Sequence, residues 1–69
     1  MMIAELTYID GIVGINGNQF GFDSVEVMNE IQVILYLTQG NNYLLTADFV
    51  TINGVLQTSA QMIADTFNA

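Results

Sequence analysis

The 69-residue chain has no lysine, arginine, histidine, cysteine, proline or tryptophan. Without cysteine there are no disulfides, no thiolate nucleophile and no cysteine-based zinc site. Without His, Cys or Lys, acid–base or covalent catalysis would have to run on carboxylates, tyrosine, serine and threonine alone. Any oxyanion or phosphate would be held by backbone amides only, and no enzyme activity is expected. Nucleic-acid binding draws most of its affinity from Lys and Arg against phosphate, so it is excluded on the same ground. The longest unbroken apolar run is Val33 to Leu37, far short of the roughly 20 residues of a membrane-spanning helix. The opening Met1-Met2-Ile3-Ala4-Glu5 has no basic n-region, so a secretory signal is not expected, and the sequence assigns no cellular location.

What the chain does have is seven acids, a formal net charge of −7 and 52% hydrophobic residues before glycine is counted. A typical chain reaches roughly 45–50% with glycine included. The charge therefore arises from missing bases rather than abundant acids. Glu5, Asp10, Asp23, Glu26, Glu30, Asp48 and Asp65 are scattered, and most coincide with turns or outward strand positions. Such spacing cannot reproduce a regular phosphate array, which argues against a nucleic-acid mimic. Asp23, Glu26 and Glu30 are the nearest approach to an oxygen-ligand set for Ca²⁺ or Mg²⁺. They lack the Asp-x-Asp-x-Asp-Gly pattern of a calcium loop, so neither metal nor cofactor is expected.

Turn chemistry divides the chain. Asp10-Gly11, Asn16-Gly17-Asn18, Gln39-Gly40-Asn41-Asn42 and Asn53-Gly54 separate runs rich in β-branched and aromatic residues. That pattern predicts antiparallel hairpins in a small meander. A two-residue turn at Asp10-Gly11 sets Tyr8 opposite Val13 and Leu6 opposite Ile15. Closing the next hairpin at Gly17-Asn18 sets Ile15 opposite Phe20 and Val13 opposite Phe22. For Glu30 to Thr38, strand propensity and the aliphatic odd positions Ile31, Val33, Leu35 and Leu37 outweigh a helical alternative capped by Asp23 with Glu26. A three-residue loop Gly40-Asn41-Asn42, with Asn41 or Asn42 left-handed, pairs Leu37 with Leu45, Leu35 with Ala47 and Val33 with Phe49. It keeps Asp48 on the mixed face beside Ile34, where its carboxylate avoids the cost of burial.

After Thr58 and Ser59, both acceptable N-caps, Ala60, Ile63, Ala64 and Phe67 recur at helical spacing. The reading is one domain, 1–69, mainly β: a β-rich meander over 1–57 and a C-terminal amphipathic helix over 58–68. At about 1.5 Å per residue this helix is shorter than roughly 20 Å and covers only part of one sheet face. That face carries Leu6, Tyr8, Val13, Ile15, Phe20, Phe22, Val33, Leu35 and Phe49. The other carries Ile9, Ile12, Ile34, Tyr36, Leu44, Val50 and Ile52, unless the sheet curls into a small barrel that buries both.

Exposed contiguous apolar patches usually mark interaction sites. The expectation is therefore a non-enzymatic structural subunit that binds protein, its own copies or a larger assembly, a viral particle component being the economical example. The contact candidates are Ile12, Ile34, Tyr36, Tyr43, Phe20 and Phe22, with core packing the competing role for the two phenylalanines. The alternative is an acidic inhibitor or adaptor on a basic protein surface, favoured by the lack of any base.

Overall fold

Asp10-Gly11, Asn16-Gly17, Gln39-Gly40 and Asn53-Gly54 carry positive φ at both residues in the computed structural model, which describes residues 1–46 and 48–69. Paired positive φ defines the type I′ geometry whose twist matches flanking strands, and glycine adopts it at no steric cost. The described residues form strands β1 (Ile3–Ile9), β2 (Ile12–Ile15), β3 (Asn18–Val27), β4 (Val33–Leu37), β5 (Asn42–Leu45), β6 (Phe49–Ile52) and β7 (Val55–Gln57), followed by helix α1 (Ala60–Asn68), and the four turns close the β1–β2, β2–β3, β4–β5 and β6–β7 hairpins. The protein is mainly β with one C-terminal helix, as the sequence predicts. Segment 33–37 is strand, and the helix begins at Ala60 rather than 58.

The strands form one sheet in the order β5-β4-β3-β2-β1-β6-β7. It is mixed rather than a pure antiparallel meander, because β6 lies parallel to β1, with Ile3 beside Phe49 and Leu6 beside Ile52. The sheet is open, with β5 and β7 at its edges, so the barrel alternative does not hold. It is nevertheless strongly curled. Leu45 and Phe49 are four residues apart and reach about 14 Å at most. Five strand spacings in a flat sheet would separate β5 from β6 by roughly 24 Å.

Two registers differ from the sequence reading. Asn16-Gly17 closes the second hairpin, pairing Ile15 with Asn18 and Val13 with Phe20. The shift is two residues, so every side chain keeps its face. In the β4–β5 hairpin Val33 pairs with Leu45 and Leu35 with Tyr43. The left-handed residues are Gln39 and Gly40, not Asn41 or Asn42. The expected partner of Leu35, Ala47, lies outside the described residues. Ile31 precedes β4 in an exposed connection instead of joining its aliphatic face.

One irregularity lets β3 serve two hairpins. Its pairing with β4 steps from Phe22–Leu37 to Ser24–Tyr36, leaving Asp23 as the extra residue. Such a bulge bends the strand and increases its twist. It also changes the inward positions from Phe20 and Phe22 to Val25, so both halves present apolar groups to the core.

That concave side is the core. Leu6, Val13, Ile15, Val33, Leu35, Leu37, Leu45, Val50 and Ile52 are buried with Ala60, Ile63 and Phe67 of α1. Val50 and Ile52 therefore face inward and Phe49 outward, the reverse of the sequence expectation. Their facing is set by the parallel pairing with β1, whereas the sequence reading set Phe49 opposite Val33 of β4. Ser59 caps α1, its hydroxyl accepting the Met62 N–H at 3.1 Å, and the Ala60 N–H donates to the Glu30 carbonyl at 3.0 Å. The buried Gln57 amide is satisfied at both ends, donating to the Val55 carbonyl and accepting from the Thr66 hydroxyl.

Candidate functional site

The outer, convex face of the sheet holds what the core leaves over. On the β1–β6–β7 side, Ile3 lies beside Phe49 while Glu5, Thr51 and Leu56 share the next row. Ile3, Phe49 and Leu56 remain 62%, 46% and 48% exposed. Glu5 sits among them and borders a shallow groove of about 480 Å³ lined by Leu6, Thr7, Thr51 and Gly54. The chain has no side-chain cation to neutralise this carboxylate. Gly14 keeps the neighbouring surface low, since a Cβ there would collide with the Thr7 hydroxyl.

A second apolar area lies toward the β5 edge. Ile34 pairs with Leu44 there and with Glu26 on its other side. The Tyr36 hydroxyl donates to Glu26 Oε1 at 2.7 Å. This hydrogen bond is the main reason the Tyr36 phenol is held above its ordinary ionisation range, with partial burial and the negative charge of Glu26 adding to it. The bond also orients a carboxylate at the margin of the patch.

The six contact candidates from the sequence separate by face. Ile12 is exposed on the outer face, paired with Ile9, and Ile34 and Tyr36 lie partly exposed on that face. Tyr43, Phe20 and Phe22 point inward and pack against the core. Phe22 stacks on Phe67, which makes core packing the role of that ring. Sequence reasoning missed Ile3, Phe49 and Leu56. In Phe49-Val50-Thr51-Ile52 both 49 and 50 are apolar, so alternation alone does not choose which faces outward. Asp48 is not beside Ile34: its Oδ2 accepts the Met2 N–H at 2.9 Å, at the head of β1 and β6.

A groove of about 590 Å³ runs between the β3–β4 connection and the start of α1, lined by Val27, Asn29, Glu30, Ile31, Thr58, Ser59 and Gln61. Its polar groups are one carboxylate, amides and hydroxyls, with no nucleophile–base pair. Among the described residues no three His, Cys, Asp or Glu side chains gather into a metal-binding group. Among these residues no buried side-chain polar atom lacks a hydrogen-bond partner. Among the described residues no helix is long and apolar enough to cross a membrane.

The site is thus an apolar, acid-bearing outer sheet face on a small mainly-β protein. Comparison with protein-family models, curated proteins and solved structures finds no match for this chain.

Proposed function

We propose that this protein is a non-enzymatic assembly module, a small acidic β-rich subunit that docks the outer face of its sheet against a neighbouring protein surface. The observation that carries the reading is the exposed group Ile3, Phe49 and Leu56 beside the open β7 edge. Full burial of such a side chain contributes about 1.5–3 kcal/mol, and grouped apolar residues on a surface commonly mark an interface. Strand pairing along a free edge offers further association. With no Lys or Arg, contacts between copies would rest on these apolar and backbone terms, against like-charge repulsion.

Glu5 favours a second reading, an adaptor or inhibitor that seats a basic protein surface on the same face. A partner cation would neutralise the carboxylate, which no side chain of a second copy can do. Salt separates the readings. Light scattering at several concentrations should find particles heavier than the 7.6 kDa chain that persist or grow in high salt, and Phe49→Glu should dissociate them with little change in circular dichroism. A chain monomeric at millimolar concentration would sink self-assembly. Charge-led docking on a basic protein would instead weaken steeply with salt.

A further inference from the structure

We infer that Asn16-Gly17 is a site of spontaneous self-modification by deamidation, and that its structural counterpart Asn53-Gly54 is protected. In this reaction the Gly17 backbone nitrogen loses its proton to water and attacks Asn16 Cγ. A C–N bond forms, the Cγ–Nδ2 bond breaks, and the side-chain nitrogen leaves as ammonia after taking up a proton. Water then opens the resulting succinimide at either carbonyl, giving aspartate or isoaspartate. The sum is one water consumed and one ammonia released, with no oxidant or enzyme required.

Both dipeptides have the glycine that leaves the attacking nitrogen unshielded, and their backbones match. Asn16 and Gly17 have φ of 51° and 82°, Asn53 and Gly54 of 52° and 80°. Nothing lies within 4 Å of where a Cβ would stand at either glycine. The difference is in the asparagine side chain. Asn53 Oδ1 accepts the Tyr8 N–H at 2.9 Å, and its Nδ2 donates to the Tyr8 carbonyl at 2.9 Å. With the Asn53 N–H donating to the Leu6 carbonyl at 2.9 Å, the amide serves as one more rung of the β1–β6 ladder. Its Cγ cannot swing toward the Gly54 nitrogen until both side-chain bonds open. Asn16 is exposed at the β2–β3 turn, with no comparable clamp among the described residues.

The two products differ in their effect on the fold. Asp10, with φ 51° ahead of Gly11, shows that aspartate fits this position of the same turn type. The aspartyl product therefore keeps the β2–β3 hairpin and adds one negative charge. The isoaspartyl product inserts an extra carbon into the main chain and does not fit a two-residue turn.

The full chain is held at mildly alkaline pH, folded or in denaturant, then cleaved with a protease specific for aromatic residues, since trypsin has no site. Peptide masses are followed over time. In the folded protein Asn16 converts on the order of tenfold or more faster than Asn53, the factor implied by a pair of net hydrogen bonds that must open first. In denaturant the two rates converge. Asn53 keeping pace with Asn16 in the folded protein overturns the inference, as does an Asn16 that stays intact while the denatured chain reacts. Asn16→Asp is the reference for the aspartyl product and should retain the wild-type amide protection of β2 and β3; loss of that protection refutes the tolerance of aspartate.

Discussion

The ring of Phe67 lies nearly parallel to that of Phe22, with centroids 5.1 Å apart and planes 16° off. Tyr8 meets both, at 4.8 Å from Phe67 and 5.3 Å from Phe22, tilted to each. These rings tie the last turn of α1 to strands β1 and β3. Phe67→Ala removes the central ring and should cost about 3–5 kcal/mol. A domain this small has little reserve within the usual 5–15 kcal/mol or so. Urea unfolding is expected to show a sharply lowered midpoint or no folded baseline. A midpoint near wild type would mean that α1 is not part of the cooperative core.

The Asn53 clamp on Tyr8 is a stability element in its own right. Asn53→Ala leaves the Tyr8 N–H and carbonyl without their side-chain partners and should destabilise by about 1–3 kcal/mol. Asn16→Ala is the control, because it places the same residue at nearly the same positive φ without breaking a clamp. The difference between the two urea midpoints isolates the paired bonds. Equal shifts would assign the whole effect to backbone conformation.

Tyr36 should titrate above the ordinary phenol value of about 10, owing to its bond to Glu26, its partial burial and the adjacent negative charge. The folded state favours the neutral phenol. The associated stability is complete below the unfolded value and is lost as pH rises through the folded one. Ultraviolet difference titration against Tyr36→Phe reads this residue alone. Glu26→Gln, which removes the charge, should bring its midpoint down toward the ordinary value. A midpoint unmoved by that change would show that Glu26 does not control it.

Acidification tests the exposed outer face. As pH falls toward the sequence isoelectric point near 4.1, carboxylates, the only ionised side chains at neutral pH, are neutralised and apolar association loses its opposition. Turbidity at high protein concentration should rise steeply there, and less in Phe49→Glu, which breaks the apolar group and adds charge. A clear wild-type solution at that pH would count against an adhesive outer face.

Much of the local structure was legible in the residues. Asp10-Gly11 announced a hairpin with Tyr8 opposite Val13, which is the pairing observed. The stripe Ala60, Ile63, Ala64 and Phe67 named the buried side of α1, and of the two candidate caps, Thr58 and Ser59, the second serves. The candidate site was legible only in part. Ile12, Ile34 and Tyr36 are on the outer face, whereas Phe20, Phe22 and Tyr43 turn inward against the core. Alternation already placed Phe20 and Phe22 on the face the helix covers, but the β4–β5 register that carries Tyr43 was not fixed by local pattern.

The amino-acid sequence by itself determined the mainly-β class, the Asp10-Gly11 turn, the C-terminal helix with its buried stripe, the excess of apolar surface and the absence of any balancing cation, because these follow from local backbone preference and composition. Tertiary structure alone decided the rest. A parallel pairing of β6 with β1 turned Val50 and Ile52 inward and Phe49 outward, and a single extra residue at Asp23 rotated the second half of β3 onto the core. Both depend on contacts between segments remote in the chain, whose energies no local pattern of residues expresses.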